Sequence, residues 1–157
     1  MTYPTLHEIR RNKLINYLMI GGKKVTATRI VEEALETLYK RVAAESNNPL
    51  KFLPTKLELF SQALKQARPW LSVTSTKRGG KKVLIPQVIP EKSQDRYAMQ
   101  FLVKNTKDTK NNEGRSAGAR LSNELYGCLT NQGKTIQDRN HLHQLAESNR
   151  AQLGSSI

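Results

Sequence analysis

Acidic residues are scarce in this chain. Its 13 Asp and Glu face 26 Lys and Arg, giving a formal net charge of +13 and a pI near 10.1. Such an imbalance makes a polyanion, nucleic acid above all, the first partner to consider. Cysteine is rarer still: one residue, Cys128, excludes an internal disulfide and a Cys-rich zinc site, so a reducing environment and no structural metal are expected. Aromatics make up 6% and hydrophobic residues 37% of the 157 positions, which fits one domain with a modest core and much polar surface. No apolar run approaches the roughly 18 residues of a membrane span. The opening MTYPTLHEIRRNK lacks the apolar stretch of a secretory signal, and its Glu8 speaks against a transit peptide.

What the chain does have is a basic turn. The segment Arg68 to Ile85 reads RPWLSVTSTKRGGKKVLI, with no acidic residue between Arg68 and Lys82. Its arms, Trp70 to Thr76 and Val83 to Ile89, are rich in the β-branched and aromatic residues that suit strands, and Gly79-Gly80 supplies the positive φ angles of a tight hairpin turn. Lys77, Arg78, Lys81 and Lys82 crowd that turn. Like charges so placed repel one another until a polyanion neutralises them. The alternative is a solvated tip kept soluble by its lysines.

Helices account for most of the rest. Beyond an irregular basic N-terminal arm, residues 1–13, the positions Leu14, Ile15, Leu18 and Met19 predict a short helix stopped by Gly21-Gly22. Thr26 is the expected cap of a long helix with an apolar stripe from Ala27 through Ile30, Val31, Ala34, Leu35 and Leu38 to Val42. Its charged face, which includes a Glu36 to Lys40 pair, reads as solvated surface. Glu45 to Pro54 reads as a loop. Lys56 to Ala67 predicts another amphipathic helix, ended by Pro69. Past the hairpin, at about residues 70–89, Ser93 or Asp95 is the expected cap of a helix through Tyr97, Ala98, Phe101 and Leu102. Lys107 to Gly114 reads as a polar connection. Ser116 is placed to cap a helix burying Ala117, Leu121, Leu125, Cys128 and Leu129, and a last helix runs from Thr135 to about Ala151 before a frayed tail at 152–157. The expected fold is mainly α: a single-domain bundle of about six helices spanning 1–157, with one protruding β-hairpin.

Candidate catalytic patterns fail on spacing. Gly133-Lys134-Thr135 resembles the end of a phosphate-binding loop, but such a loop needs Gly where Cys128 stands, and the preceding segment reads as helix rather than strand. His141 and His143 are two apart, about 200° around a helix, and cannot face one metal together. They read as one inward and one surface histidine, or as RNA-contacting donors. No enzyme, cofactor, metal or small-molecule substrate is expected.

The order of segments carries further information: LINYLMIGGKKVTATRIVEEALETL, RPWLSVTSTKRGGKKVLIP, AMQFLV, LSNEL, NQG and HQLAESNR. Over roughly Leu14 to Ala151 this succession resembles the small-subunit ribosomal protein seven family. The resemblance implies a helical bundle whose hairpin protrudes, which binds the three-prime domain of small-subunit rRNA, nucleates assembly of the subunit head and has no catalytic role. It implies partners among head and platform proteins, and a hairpin directed to messenger RNA and tRNA at the exit site. Carried over by position, the RNA-binding candidates are Arg10, Arg11, Lys13, Lys23, Lys24, Arg68, Lys77, Arg78, Lys81, Lys82, Arg115, Arg120, Arg139 and Arg150. His143, Glu147 and Asn149 match the last-helix motif.

Three departures from that pattern stand out. Pro90-Glu91-Lys92-Ser93-Gln94 replaces an arginine-rich stretch, which puts RNA contact there in doubt; Lys107 to Glu113 is longer and more polar than usual; and the chain ends in QLGSSI instead of an aromatic, basic segment. Such drift points to the small ribosomal subunit of a mitochondrion ahead of a plastid or bacterium. A free RNA-binding regulator acting on messenger RNA is the alternative function.

Overall fold

The computed structural model describes residues 2–45, 47, 49, 55–108, 110 and 114–153. The greater part of the loop expected at Glu45 to Pro54, several positions of the connection Lys107 to Gly114, and the tail beyond Leu153 lie outside the described residues. Within them, six α-helices and one antiparallel hairpin follow in the order α1 (Leu6–Leu18), α2 (Lys24–Ala44), α3 (Lys56–Ala67), β1 (Leu71–Arg78), β2 (Lys81–Val88), α4 (Glu91–Lys107), α5 (Ala117–Leu129) and α6 (Lys134–Ser148), closed by a 3-10 helix at Arg150–Leu153. The mainly α expectation holds, hairpin included.

α5 is the hub, packing on α2, α3, α4 and α6. Its Leu121, Leu125 and Cys128 are fully buried against Val31, Leu38, Phe60, Leu64, Met99 and Leu102 from the surrounding helices. Each such leucine contributes about 1.5–3 kcal/mol of burial, so the stripes read in the sequence are what hold the bundle. At Gly118 of α5 an added Cβ would lie 2.6 Å from the Glu33 Cδ of α2. Glu33 uses that space to accept a hydrogen bond from the Ser116 hydroxyl at 3.1 Å.

Helix boundaries show which local signals prevailed. Ser116 caps α5 and Thr55 caps α3 through their side chains, and Pro69 ends α3 by holding Arg68 extended at φ −66°, ψ 120°. Three expectations require correction. The N-terminal arm is helical from Leu6, because Thr5 and Glu8 form a capping box: the Glu8 N–H donates to the Thr5 hydroxyl, and the Glu8 carboxylate accepts the Thr5 N–H at 2.7 Å. α2 begins at Lys24 with no side-chain cap, since the Gly21-Gly22 turn already directs the chain into helix before Thr26. α4 begins at Glu91 after Pro90 rather than at Ser93 or Asp95, and the Asp95 carboxylate is engaged elsewhere.

The hairpin has a defined register, from Leu71 opposite Val88 to Arg78 opposite Lys81. Gly79 and Gly80, at φ 56° and 79°, make a two-residue turn with both central φ angles positive, whose twist matches that of the strands. Eight residues per strand give a ribbon roughly 25 Å long. Its base rests on α6 and the 3-10 helix.

Candidate nucleic-acid interface

At the hairpin tip the register sorts the four cations. Side chains alternate between the faces of a strand, so Lys77 and its partner Lys82 share one face while Arg78 and Lys81 share the other. Like charges directly opposite destabilise a pair of strands, and nothing acidic in the ribbon offsets them. Lys77, Lys81 and Lys82 are exposed, and Arg78 is half-buried. The tip therefore presents positive charge on both faces, a form that an RNA backbone on either side can neutralise.

The remaining candidates divide by residue type. Lys13, Lys23 and Lys24 are exposed, and among the described residues they and the three tip lysines make no ion pair. Several arginines instead engage acidic or carbonyl groups of the protein itself. Arg10 Nε at 3.1 Å and Arg68 Nε at 2.5 Å converge on the two oxygens of Asp95, joining α1, the α3 end and α4. Arg11 pairs with Glu32 at 2.9 Å, and Arg150 with Glu147 at 3.0 Å. The Arg139 guanidinium donates to the Gln66 carbonyl in the last turn of α3, one of the oxygens that a helix end leaves unsatisfied. Arg115 is exposed; Arg120 is half-buried, and among the described residues its Nε has no hydrogen-bond partner. Free charge at this surface thus comes largely from lysine, and the arginines divide between surface and scaffold.

One grouping was not read from the sequence. Lys92 and Arg96, one helical turn apart on α4, line with Lys13 and Tyr17 of α1 a cleft of about 160 Å³, with Ser93, Asp95 and Met99 completing the wall. The segment Pro90 to Gln94, where RNA contact is in doubt, thus supplies Lys92, and Arg96 just beyond it adds a second cation beside Lys13. Their i,i+4 spacing was visible in the sequence, whereas the approach of α1 was not.

At the hairpin base, the Trp70 N–H donates to His143 Nε2 at 3.1 Å, and the two rings meet edge-on with centroids 5.8 Å apart at 76°. The bond requires neutral imidazole with its proton on Nδ1. Burial, aided by the nearby Arg139 charge, lowers the His143 pKa from its ordinary value. His141 is exposed, so one histidine faces inward and one outward.

The features set aside as catalytic have structural duties. Burial pushes the Cys128 thiol up to about 12, leaving it protonated and poorly nucleophilic. Lys134 is held by Asp108 at 2.6 Å, and buried Thr135 donates to Glu124 at 3.0 Å while accepting from Asn105 at 3.2 Å. Among the described residues no group of His, Cys, Asp and Glu could hold a metal ion, and no helix is long and apolar enough to cross a membrane.

Comparison with known proteins places the sequence in one family. A family model described as "Ribosomal protein S7p/S5e" matches residues 2–150. The chain is 39% identical over 140 residues to the small ribosomal subunit protein uS7 of Protochlamydia amoebophila, covering 89% of this chain and 82% of that protein. It is 34% identical over 148 residues to the uS7 proteins of Chlamydia felis and Chlamydia trachomatis serovar D, covering 94% of this chain and 87% of each relative. The chain therefore belongs to the ribosomal protein S7p/S5e family, whose members are structural, non-enzymatic constituents of the small ribosomal subunit.

Proposed function

We propose that this chain grips the three-prime domain of small-subunit rRNA, nucleates assembly of the subunit head, and extends its hairpin along the path of messenger RNA and exit-site tRNA, between neighbouring head and platform proteins. The observation that carries this reading is the set of exposed lysines without ion-pair partners among the described residues: Lys77, Lys81 and Lys82 at the tip and Lys13, Lys23 and Lys24 on the body. Charge left uncompensated on two separate surfaces suits a folded RNA, which proteins engage mainly through backbone and shape. The basic cleft between α1 and α4 extends the candidate contacts to Lys92 and Arg96.

Of the fourteen residues carried over by position, we assign direct phosphate contact first to these lysines, together with Arg78 and Arg115. Arg10, Arg68 and Arg139 act chiefly by holding α1, α3, α4 and α6 together. For the compartment, the bacterial relatives favour a bacterial ribosome over the mitochondrial one suggested by sequence drift. The test is binding of the purified chain to separate transcripts of the three-prime and five-prime domains of small-subunit rRNA. Selective retention of the three-prime transcript is expected, and equal affinity for both would refute site-specific binding.

A further inference from the structure

Trp70 combines a fixed backbone with an open side chain. Its N–H is bound by His143 of α6 at 3.1 Å, and its carbonyl accepts the Ile89 N–H at 2.9 Å, so both main-chain polar groups are held. The preceding Pro69 is buried. Yet the residue is 63% exposed, among the most exposed large apolar groups of the described chain. Whichever ring presents its edge in the contact with His143, at least one face of the indole is left uncovered by it. An aromatic positioned in this way loses little conformational freedom when a flat partner lands on it.

The surroundings indicate what kind of partner that is. Continuing the strand alternation, Trp70 lies on the ribbon face that carries Ser72 and Thr74 with their partners Gln87 and Ile85. The other strongly exposed apolar residue nearby, Val88 at 77%, pairs with Leu71 and points to the opposite face. Within the ribbon Trp70 thus has no exposed apolar neighbour on its own face, and outside it Leu153 of the 3-10 helix on β2, 45% exposed, offers less than the packed, water-excluding patch typical of a protein hot spot. Stacking of a base requires only an open π face and attraction for the attached phosphates. No acidic residue occurs from Arg68 to Pro90, and the same face ends at Arg78 and Lys81.

We propose that Trp70 is a stacking platform for an unpaired RNA base, so that the hairpin binds a single strand by its base as well as by its charged tip. The inference rests on the RNA-binding reading above. Because Trp70 is the only tryptophan, its fluorescence reports on the site alone. Titration of the full chain with a short single-stranded oligoadenylate is expected to quench that fluorescence, whereas a fully paired RNA duplex bound by the same protein is not. Trp70→Ala is expected to weaken oligoadenylate binding roughly 5- to 150-fold, the range of base–aromatic stacking, and Trp70→Phe to retain most of it. Oligoadenylate binding with unchanged wild-type fluorescence overturns the platform while leaving RNA binding intact, and assigns the indole to another partner such as a protein. Failure of the wild-type chain to bind any RNA overturns both readings. Should Trp70→Ala fail to fold, the wild-type titration still decides.

Discussion

Arg68 and Asp95, 27 residues apart in the chain, form an ion pair of 2.5 Å that joins the end of α3 to the first turns of α4. The other oxygen of Asp95 holds Arg10 at 3.1 Å, so one carboxylate fixes three helical elements near the base of the hairpin. The side chains retain only 15%, 22% and 16% of their exposure, which limits screening by water.

Asp95→Asn keeps the shape and removes the charge, leaving two half-buried guanidiniums without a counterion. A loss of about 2 kcal/mol is expected, below the range for fully buried pairs because water reaches part of this one. For a chain of this size that corresponds to a melting temperature lower by roughly 4–8 °C, measurable by circular dichroism. A change within the error of the melt would mean that the pair contributes nothing to holding α1, α3 and α4 together.

Burial of His143 at the hairpin base, with Arg139 nearby, makes stability depend on pH in one direction. The folded-state pKa of His143 is lowered, so the unfolded chain binds more protons than the folded one just below the ordinary value of 6.5. Stability from this group is therefore complete above about pH 6.5 and declines as the pH falls toward the depressed folded value. One proton limits the slope to about 1.4 kcal/mol per pH unit. Urea unfolding between about pH 8 and 5 should show the decline in the native chain, and His143→Gln should flatten it. An equal slope in both proteins would assign the effect to other groups.

Replacing Lys77, Arg78, Lys81 and Lys82 together by Ala removes the tip charge while leaving the Gly79-Gly80 turn and the hydrogen-bond register intact. Affinity for RNA should fall, and the slope of log affinity against log salt should become shallower by up to about 3, since a protein that neutralises fewer phosphates releases fewer counterions. An unchanged slope would show that these cations meet solvent rather than RNA. The repulsion between Lys77 and Lys82 should be relieved in the same variant, so its hairpin amides should exchange no faster than those of the native chain.

Local and periodic features of this molecule were legible in its sequence. α3 was delimited to the residue by its apolar stripe and by Pro69, and the hairpin by two β-prone arms around Gly79-Gly80. The start of α1 was harder to see because the helix buries only Leu14, Ile15 and Leu18, all near its end, so the charged turns before them look irregular despite the Thr5–Glu8 capping box. The shared Asp95 was out of reach for a different reason: its partner Arg10 is 85 residues away, and only folding brings the two together. The same holds for Lys13 beside Lys92 and Arg96, and for His143 beneath Trp70. Charge composition pointed to the class of partner, while the division between scaffold arginines and free lysines depended on tertiary contacts.

Sedimentation of cell extract through a sucrose gradient, with the chain followed by an antibody or tag, tests most directly whether it serves as an RNA-gripping part of the small subunit. It should travel with small subunits and remain there after a wash in moderate salt, because many dispersed phosphate contacts dissociate together only at higher ionic strength. Recovery solely at the top of the gradient, as expected of a free messenger-RNA regulator, would contradict that role.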